Sequence, residues 1–200
     1  SMTDTTGMIW NSNINDYGFK IDNTVLLDDE NTIKFGFSST YHHFFPGLIE
    51  PTGGGEQLFN TYELFPNSAV EWGIYGSNVQ QVTKKLSLKY GIRFSIFQNV
   101  GPGTVYNYNE NHEVTDSMNY TKGDVYNVYQ GLEPRIGAVY QLNDVSSVKA
   151  SYSRTRQYVH VASNSTGGTP LDIWVASNQN IKPQIADQAA VGYFRNIRFC

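Results

Sequence analysis

The sequence predicts an all-β protein: an antiparallel up-and-down meander forming a segment of a transmembrane β-barrel, with a soluble β-sandwich or a small closed barrel as the alternative. Three observations point there. Residues 86–97 alternate strictly, with Leu86, Leu88, Tyr90, Ile92, Phe94 and Ile96 on one side and Ser87, Lys89, Gly91, Arg93, Ser95 and Phe97 on the other. Only an extended chain, whose successive side chains point to opposite faces, sorts such a run. The connections between stretches of this kind alternate short and long along the chain. Charged residues are 16% of the chain, below the roughly 25% usual in soluble domains, while Tyr (14) and Phe (11) abound.

Seven strands are expected, at 17–27, 31–43, 69–80, 85–97, 128–142, 146–160 and 185–195, together making a barrel segment over 17–195. Residues 1–16 hold an apparent cloning remnant, Ser1-Met2, and room at 8–14 for a partial strand. Residues 196–200 stop without a turn or polar tail, as in a chain cut from something longer. The short connections fall at 28–30, 81–84 and 143–145, and the long ones at 44–68, 98–127 and 161–184. An outer-membrane barrel has short turns on its inner side and long loops outside, which is this order.

Face matching sets the register. In 128–142 the apolar residues Leu132, Ile136, Ala138, Tyr140 and Leu142 are even-numbered, and in the next strand Val148, Ala150 and Tyr152 are even too. Apolar residues meet only if the hairpin loop has an odd number of residues. A three-residue loop at 143–145 pairs Tyr140 with Val148 and Ala138 with Ala150. The loop at 28–30 likewise sets Val25 opposite Ile33, Ile21 opposite Phe37, Tyr17 opposite Tyr41 and Thr24 opposite Lys34. A one-residue slip in 85–97 turns Lys89 and Arg93 toward the apolar surroundings, at about 2–4 kcal/mol each at a bilayer midplane. Arg154 and Arg156 interrupt the apolar row after Tyr152, as expected where a strand leaves hydrocarbon for headgroups or solvent, or where a soluble strand ends in water. The segment 184–191, with three alanines, also suits a helical turn.

Composition excludes several functions. A net charge of -4 and a pI near 5.5 offer no basic footprint for nucleic acid. Cys200 is the single cysteine, so neither an intrachain disulfide nor a thiolate cluster forms. The longest apolar run, 173–176, is far short of the about 20 residues of a membrane helix.

No catalytic, cofactor or metal site is expected. His42 and His43 point to opposite faces of a strand, and His112, in Asn-Glu-Asn-His-Glu, lacks the frame of a zinc or calcium motif. The acidic run Asp28-Asp29-Glu30 is explained as a turn, and Glu71, Glu133 and Asp187 lie on different strands with nothing to pair them. The triplet Gly53-Gly54-Gly55 lacks the Lys and Ser/Thr of a phosphate loop. The ligand-contact candidates are the loop aromatics Tyr106, Tyr108, Tyr158 and Trp174, with Tyr120 beside them, because such rings offer contact area at little entropy cost. They equally serve to pack a large loop. Lys34, Lys89, Arg93, Glu133 and Arg135 are expected on the opposite, lumen side.

Leu132-Glu133-Pro134-Arg135, the run Ser147-Val148-Lys149-Ala150-Ser151-Tyr152-Ser153-Arg154-Thr155-Arg156-Gln157-Tyr158-Val159-His160, then Ala162-Ser163-Asn164-Ser165 and Asn180-Ile181-Lys182-Pro183-Gln184 together resemble the barrel of TonB-dependent outer-membrane receptors. Gly73-Ile74-Tyr75-Gly76-Ser77-Asn78 and the run 85–94 fit the same part. The resemblance implies a barrel of about 22 strands closed by an N-terminal plug, taking up metal chelates, vitamins or glycans with energy passed through TonB. Neither a plug nor a TonB-contacting box is visible in these residues. The expectation is therefore a non-enzymatic piece of transporter wall in the bacterial outer membrane. Its expected partners are membrane lipid, the remaining barrel and plug of a parent chain, TonB through that plug, and a small nutrient ligand, with no nucleic acid. The alternatives are a self-contained surface β module that binds a glycan or protein, and an eight-stranded membrane barrel with a structural or adhesive role.

Overall fold

The computed structural model describes residues 7–52, 61–163 and 172–197. Ser1-Met2, the triplet at 53–55, the Gly-rich stretch 166–170 and Cys200 lie outside the described residues. In chain order the strands are β1 (Gly7–Leu26), β2 (Asn31–Thr52), β3 (Tyr62–Leu64), β4 (Asn67–Thr83), β5 (Leu86–Val100), β6 (Gly103–Tyr108), β7 (Val114–Tyr120), β8 (Val125–Asn143), β9 (Ser146–Gln157), β10 (Val159–Ser163), β11 (Asp172–Ala176) and β12 (Gln184–Arg195). Seven of them form one antiparallel meander in the order β1-β2-β4-β5-β8-β9-β12, shaped as a half-barrel. β3 adds to the outer end of β2, while β6 pairs with β7 and β10 with β11 as separate hairpins.

The register follows from face matching. Val25 pairs with Ile33, Ile21 with Phe37, Tyr17 with Tyr41 and Thr24 with Lys34; Tyr140 pairs with Val148 and Ala138 with Ala150. In the first turn Leu27 N–H donates to Asn31 C=O at 3.1 Å, leaving three residues in the loop, and Asp28 accepts from Glu30 N–H at 2.9 Å. The turn at 143–145 departs from expectation. Asn143 pairs with Ser146 after a register shift at Leu142, so the loop has two residues and the bulge absorbs the third. Residues 184–191 are strand throughout, held by twelve consecutive pairings of β12 with β9 that begin at Gln184↔Gln157.

Among the described residues, no protein layer covers the apolar rows. Ile74, on a central strand, is 61% exposed and Val191 81%; Ile92, Leu132 and Ile136 are exposed in the same row. A sandwich would bury this row first. Rings mark its two ends: Tyr17 against Tyr41 (centroids 6.4 Å) and Phe37 against Trp72 (5.9 Å) toward the loops, and exposed Tyr140 and Tyr193 toward the short turns. That is the aromatic girdle of a barrel in a bilayer.

The strands run further toward the long loops than alternation indicates. β1 starts at Gly7, so 8–14 is β1 itself rather than an additional strand, and β2 continues to Thr52. Alternation fades there because both faces are occupied. Phe44, Ala69, Phe97, Tyr158 and Ala176 form a small buried core on the inner face, flanked by Ile14, Tyr129 and Val159.

Pro134 explains how the chain reaches that core. β8 pairs with β5 past Pro134 out to Val125, but its pairing with β9 ends at Arg135↔Ser153. Proline has no N–H to donate to a ladder, and in a central strand that deficit falls on one neighbour. The outer half of β9 separates from β8 at this point. Arg154 keeps the outward row and is neutralised by Asp187 through two bonds, Nε–Oδ1 at 2.7 Å and Nη2–Oδ2 at 2.9 Å. Arg156 was expected on that row with it, but its guanidinium lies on the inner face over Gly131, where an added Cβ would collide with it.

Candidate functional site

Between the buried core at the loop end and the short turns, the inner face is polar and charged. Arg93 on β5 reaches Glu71 on β4 (3.1 Å) and Glu133 on β8 (3.7 Å), and Arg135 lies 3.7 Å from Glu133. Glu133 is 4% exposed, so these two guanidiniums are what offset the burial of its carboxylate. The absence of a Cβ at Gly73 gives the Arg93 guanidinium its place, since a Cβ would meet its Nη2 and Cζ. Toward the short turns, Lys20, Lys34, Lys89, Arg93 and Arg135 share a wide open groove with Asp22. Lys20 pairs with Asp22 at 2.8 Å, and the Tyr75 hydroxyl donates to the same carboxylate. Lys34, Lys89, Arg93, Glu133 and Arg135 thus share one face.

At the loop end the β10–β11 hairpin folds inward. The Tyr158 ring stacks on Phe97 with centroids 5.0 Å apart, and its hydroxyl lies 2.8 Å from Ser95 Oγ. Ser177 N–H donates to Tyr158 C=O at 2.7 Å, and the Ser177 hydroxyl lies 2.9 Å from His160 Nε2. Tyr129 O–H fixes the segment after β11 by donating to Asn178 C=O at 2.8 Å. Burial pushes the His160 imidazole below its ordinary pKa and the Tyr158 hydroxyl above its own.

The β6–β7 hairpin stands beside it. Gln179 Nε2 donates to Tyr106 C=O at 2.9 Å, tying this hairpin to the turn 178–181. Where the hairpin returns to the barrel, Asp124 accepts from both the N–H and the hydroxyl of Thr121, at 2.7 and 2.8 Å, which holds its carboxyl below the usual range. His42 and His43 do point to opposite faces: His42 Nδ1 meets Asp16 at 2.7 Å and His43 Nδ1 meets Ser68 Oγ at 2.8 Å.

These hairpins and the segment before β4 enclose a cleft of about 250 Å³. Its lining residues include the amide-bearing Asn67, Asn99, Asn127, Asn178, Gln179 and Asn180, together with Phe65, Tyr106 and Tyr126. Among the described residues, no charged side chain lines it.

The structure distributes the four sequence candidates unevenly. Tyr106 and Tyr108 are exposed on β6 and Trp174 is exposed on β11, whereas Tyr158 is 2% exposed, with one ring face covered by Phe97. Tyr120 stacks on Tyr126 at 5.1 Å. Of the four, only Tyr106 lines the cleft. The amides escaped sequence reading because they form no motif; the abundance of Asn was the available signal, and it carries no positions.

A family model described as TonB dependent receptor-like, beta-barrel matches residues 2–194. No curated protein matches the chain. Among solved structures, the chain is similar to the FrpB iron transporter from Neisseria meningitidis in its F3-3 variant, with 16% identity and a TM-score of 0.53 over 92% of this chain and 26% of that one. The F5-1 variant gives 15% identity and a TM-score of 0.47 over 72% of this chain and 20% of that one. The chain therefore spans about a fifth to a quarter of the transporters it matches. Together with the half-barrel, its outward apolar rows and its charged inner face, the family match places this chain in the TonB dependent receptor-like β-barrel family, a family of outer-membrane receptor barrels.

Proposed function

We propose that this chain is wall and outer loops of a TonB-dependent transporter in the bacterial outer membrane, taking up a small nutrient such as a metal chelate, vitamin or glycan. The observation that carries this reading is the uncovered apolar row across seven strands, backed by a charged inner face. A self-contained surface module would bury that row, because burial is worth about 25 cal/mol per Å² of apolar surface.

In this reading lipid covers the outward rows, and the rest of a parent chain supplies further strands and a plug. That plug receives energy from TonB. The exposed rings Tyr106, Tyr108 and Trp174 touch the arriving nutrient, and Tyr158 holds in place the β10–β11 hairpin that carries Trp174. The chain does no catalysis; its chemistry is capture and passage.

The test is to extend the reading frame in both directions and to fractionate the encoded protein. A plug-coding segment upstream, further strands downstream and recovery from the outer membrane only with detergent are the expected results. A complete gene of these residues alone, yielding a monodisperse monomer in plain buffer, contradicts the proposal.

A further inference from the structure

The outward face carries a groove of its own, on the side of the wall away from the charged lumen. It has a volume of about 540 Å³ and is lined by Ile21, Phe35, Phe37, Ile74, Ile92 and Phe94, with Gly76 among them and Asn23 toward the short turns. In the ladder Gly76 stands between Phe35 on β2 and Ile92 on β5. The apolar row is therefore notched there by the lack of one side chain.

Among the described residues, no neighbour explains a glycine at this place. A Cβ added at Gly36 would collide with Tyr75, one at Gly73 with Arg93 and one at Gly91 with Ser77, so each of these glycines makes room for a side chain. A Cβ at Gly76 meets nothing within 4 Å, and its φ lies outside the left-handed region. A glycine inside a strand weakens it, and where neither a bend nor a neighbour needs one it marks the close approach of something else. In a row that faces lipid, what approaches is hydrocarbon. A chain seated in the notch between Phe35 and Ile92 gains dispersion contacts on several sides, where a flat wall gives them on one.

The groove is polar at one end. Asn23 lines it there, and beyond Gly76 on β4 Asn78 Nδ2 donates to Asn31 Oδ1 at 3.2 Å and to the Tyr90 hydroxyl at 3.1 Å. From Ile74 to Asn78 the strand advances about 13 Å, half of the about 25 Å apolar band of a membrane barrel. That is the reach of one leaflet. The polar end points to the short turns and so to the periplasmic side, which selects a glycerophospholipid over lipopolysaccharide. The Asn23 amide offers N–H donors, and the ester carbonyls at the top of an acyl chain are acceptors without donors.

We propose that the groove at Gly76 is a binding site for one glycerophospholipid of the inner leaflet, with an acyl chain seated over Gly76 between Phe35 and Ile92 and an ester carbonyl accepting from Asn23. This goes beyond the transporter reading and rests on it, since the groove meets lipid only if the outward row lies in a bilayer.

The experiment is native mass spectrometry of the full-length receptor, stripped of lipid in detergent and titrated with dioleoyl phosphatidylethanolamine, with lipid A as the comparator. One phosphatidylethanolamine should bind saturably. Its affinity should fall at least tenfold in Gly76→Ile and at least threefold in Gly76→Ala and Asn23→Leu. It should be unchanged in Ala138→Ile, which adds bulk elsewhere on the same outward face. A Cβ at position 76 has open space, so Gly76→Ala should keep the barrel's heat-modifiable migration on gels and carries the test if the isoleucine variant does not fold. Absence of saturable binding, equal affinity in the folded Gly76 variants, an equal loss in Ala138→Ile, or preference for lipid A overturns the site. Outer-membrane recovery of the same receptor is scored separately, so failure of the lipid site stays distinct from failure of the transporter reading.

Discussion

Tyr158 lies flat on Phe97, with ring centroids 5.0 Å apart and planes 4° from parallel, and this contact anchors the inward hairpin to the barrel wall. An aromatic pair of this kind contributes about 0.5–1.5 kcal/mol beyond its burial, and the hydroxyl contact to Ser95 about 1 kcal/mol more. Tyr158→Ala is expected to speed amide exchange across β10 and β11 at least tenfold while the membrane strands keep their protection. Tyr158→Phe should have a smaller effect. Hydrogen-exchange mass spectrometry on the membrane-embedded receptor reads both.

Pro134 is expected to control the same hairpin from the wall. Pro134→Val restores the missing N–H, so β8 and β9 should pair beyond Arg135↔Ser153, where the ladder now ends. The expected result is slow exchange at residues 134 and 154–156, together with looser protection of 159–163 as the chain is drawn off Phe97. An unchanged exchange pattern would show that proline is not what parts the strands.

Arg93 should be the costliest single side chain on the inner face to neutralise. Arg93→Met leaves Glu133, 4% exposed, with only Arg135 at 3.7 Å, and removing one partner of a buried pair typically costs about 3–5 kcal/mol. Adding Glu133→Gln should recover most of that loss. Urea unfolding of the two single variants and the double variant in lipid vesicles measures the coupling.

Acid should release the hairpin before it unfolds the barrel. Burial lowers the His160 pKa, so below the ordinary His value of 6.5 the released hairpin binds a proton that the docked one resists. Docking is therefore fully stable above that value and weakens as pH falls through the lowered one. Exchange in 159–163 should accelerate over this window in the natural protein and lose its pH dependence in His160→Gln.

Much of the wall was legible because two environments impose period two on it. Wherever one face meets lipid and the other water, as at Ile21 and Phe37 or Ala138 and Ala150, parity alone sets the partner. Legibility ended where that contrast ended. Past Tyr41 the inner face of β2 packs Phe44 under a folded hairpin, so apolar residues occupy both faces and the strand's last residues read as loop. Tyr158 reads as a loop ring because its cover, Phe97, is distant in sequence and counted among the lumen side of β5. The amide cleft draws on segments from 65 to 180, a convergence set by topology and by Pro134 rather than by any local spacing.

In the proposed transporter the apolar row faces acyl chains and the other face water. Nitroxide labels placed one at a time by Ile74→Cys, Ile136→Cys, Ser77→Cys and Ser151→Cys in the bilayer-embedded receptor test it most directly, through collision rates with oxygen and with a water-soluble nickel chelate. Labels at 74 and 136 should collide with oxygen and be shielded from nickel, and those at 77 and 151 should show the reverse preference. Labels at 74 and 136 that are immobilised and shielded from both reagents would reveal a protein layer over the row and contradict the account.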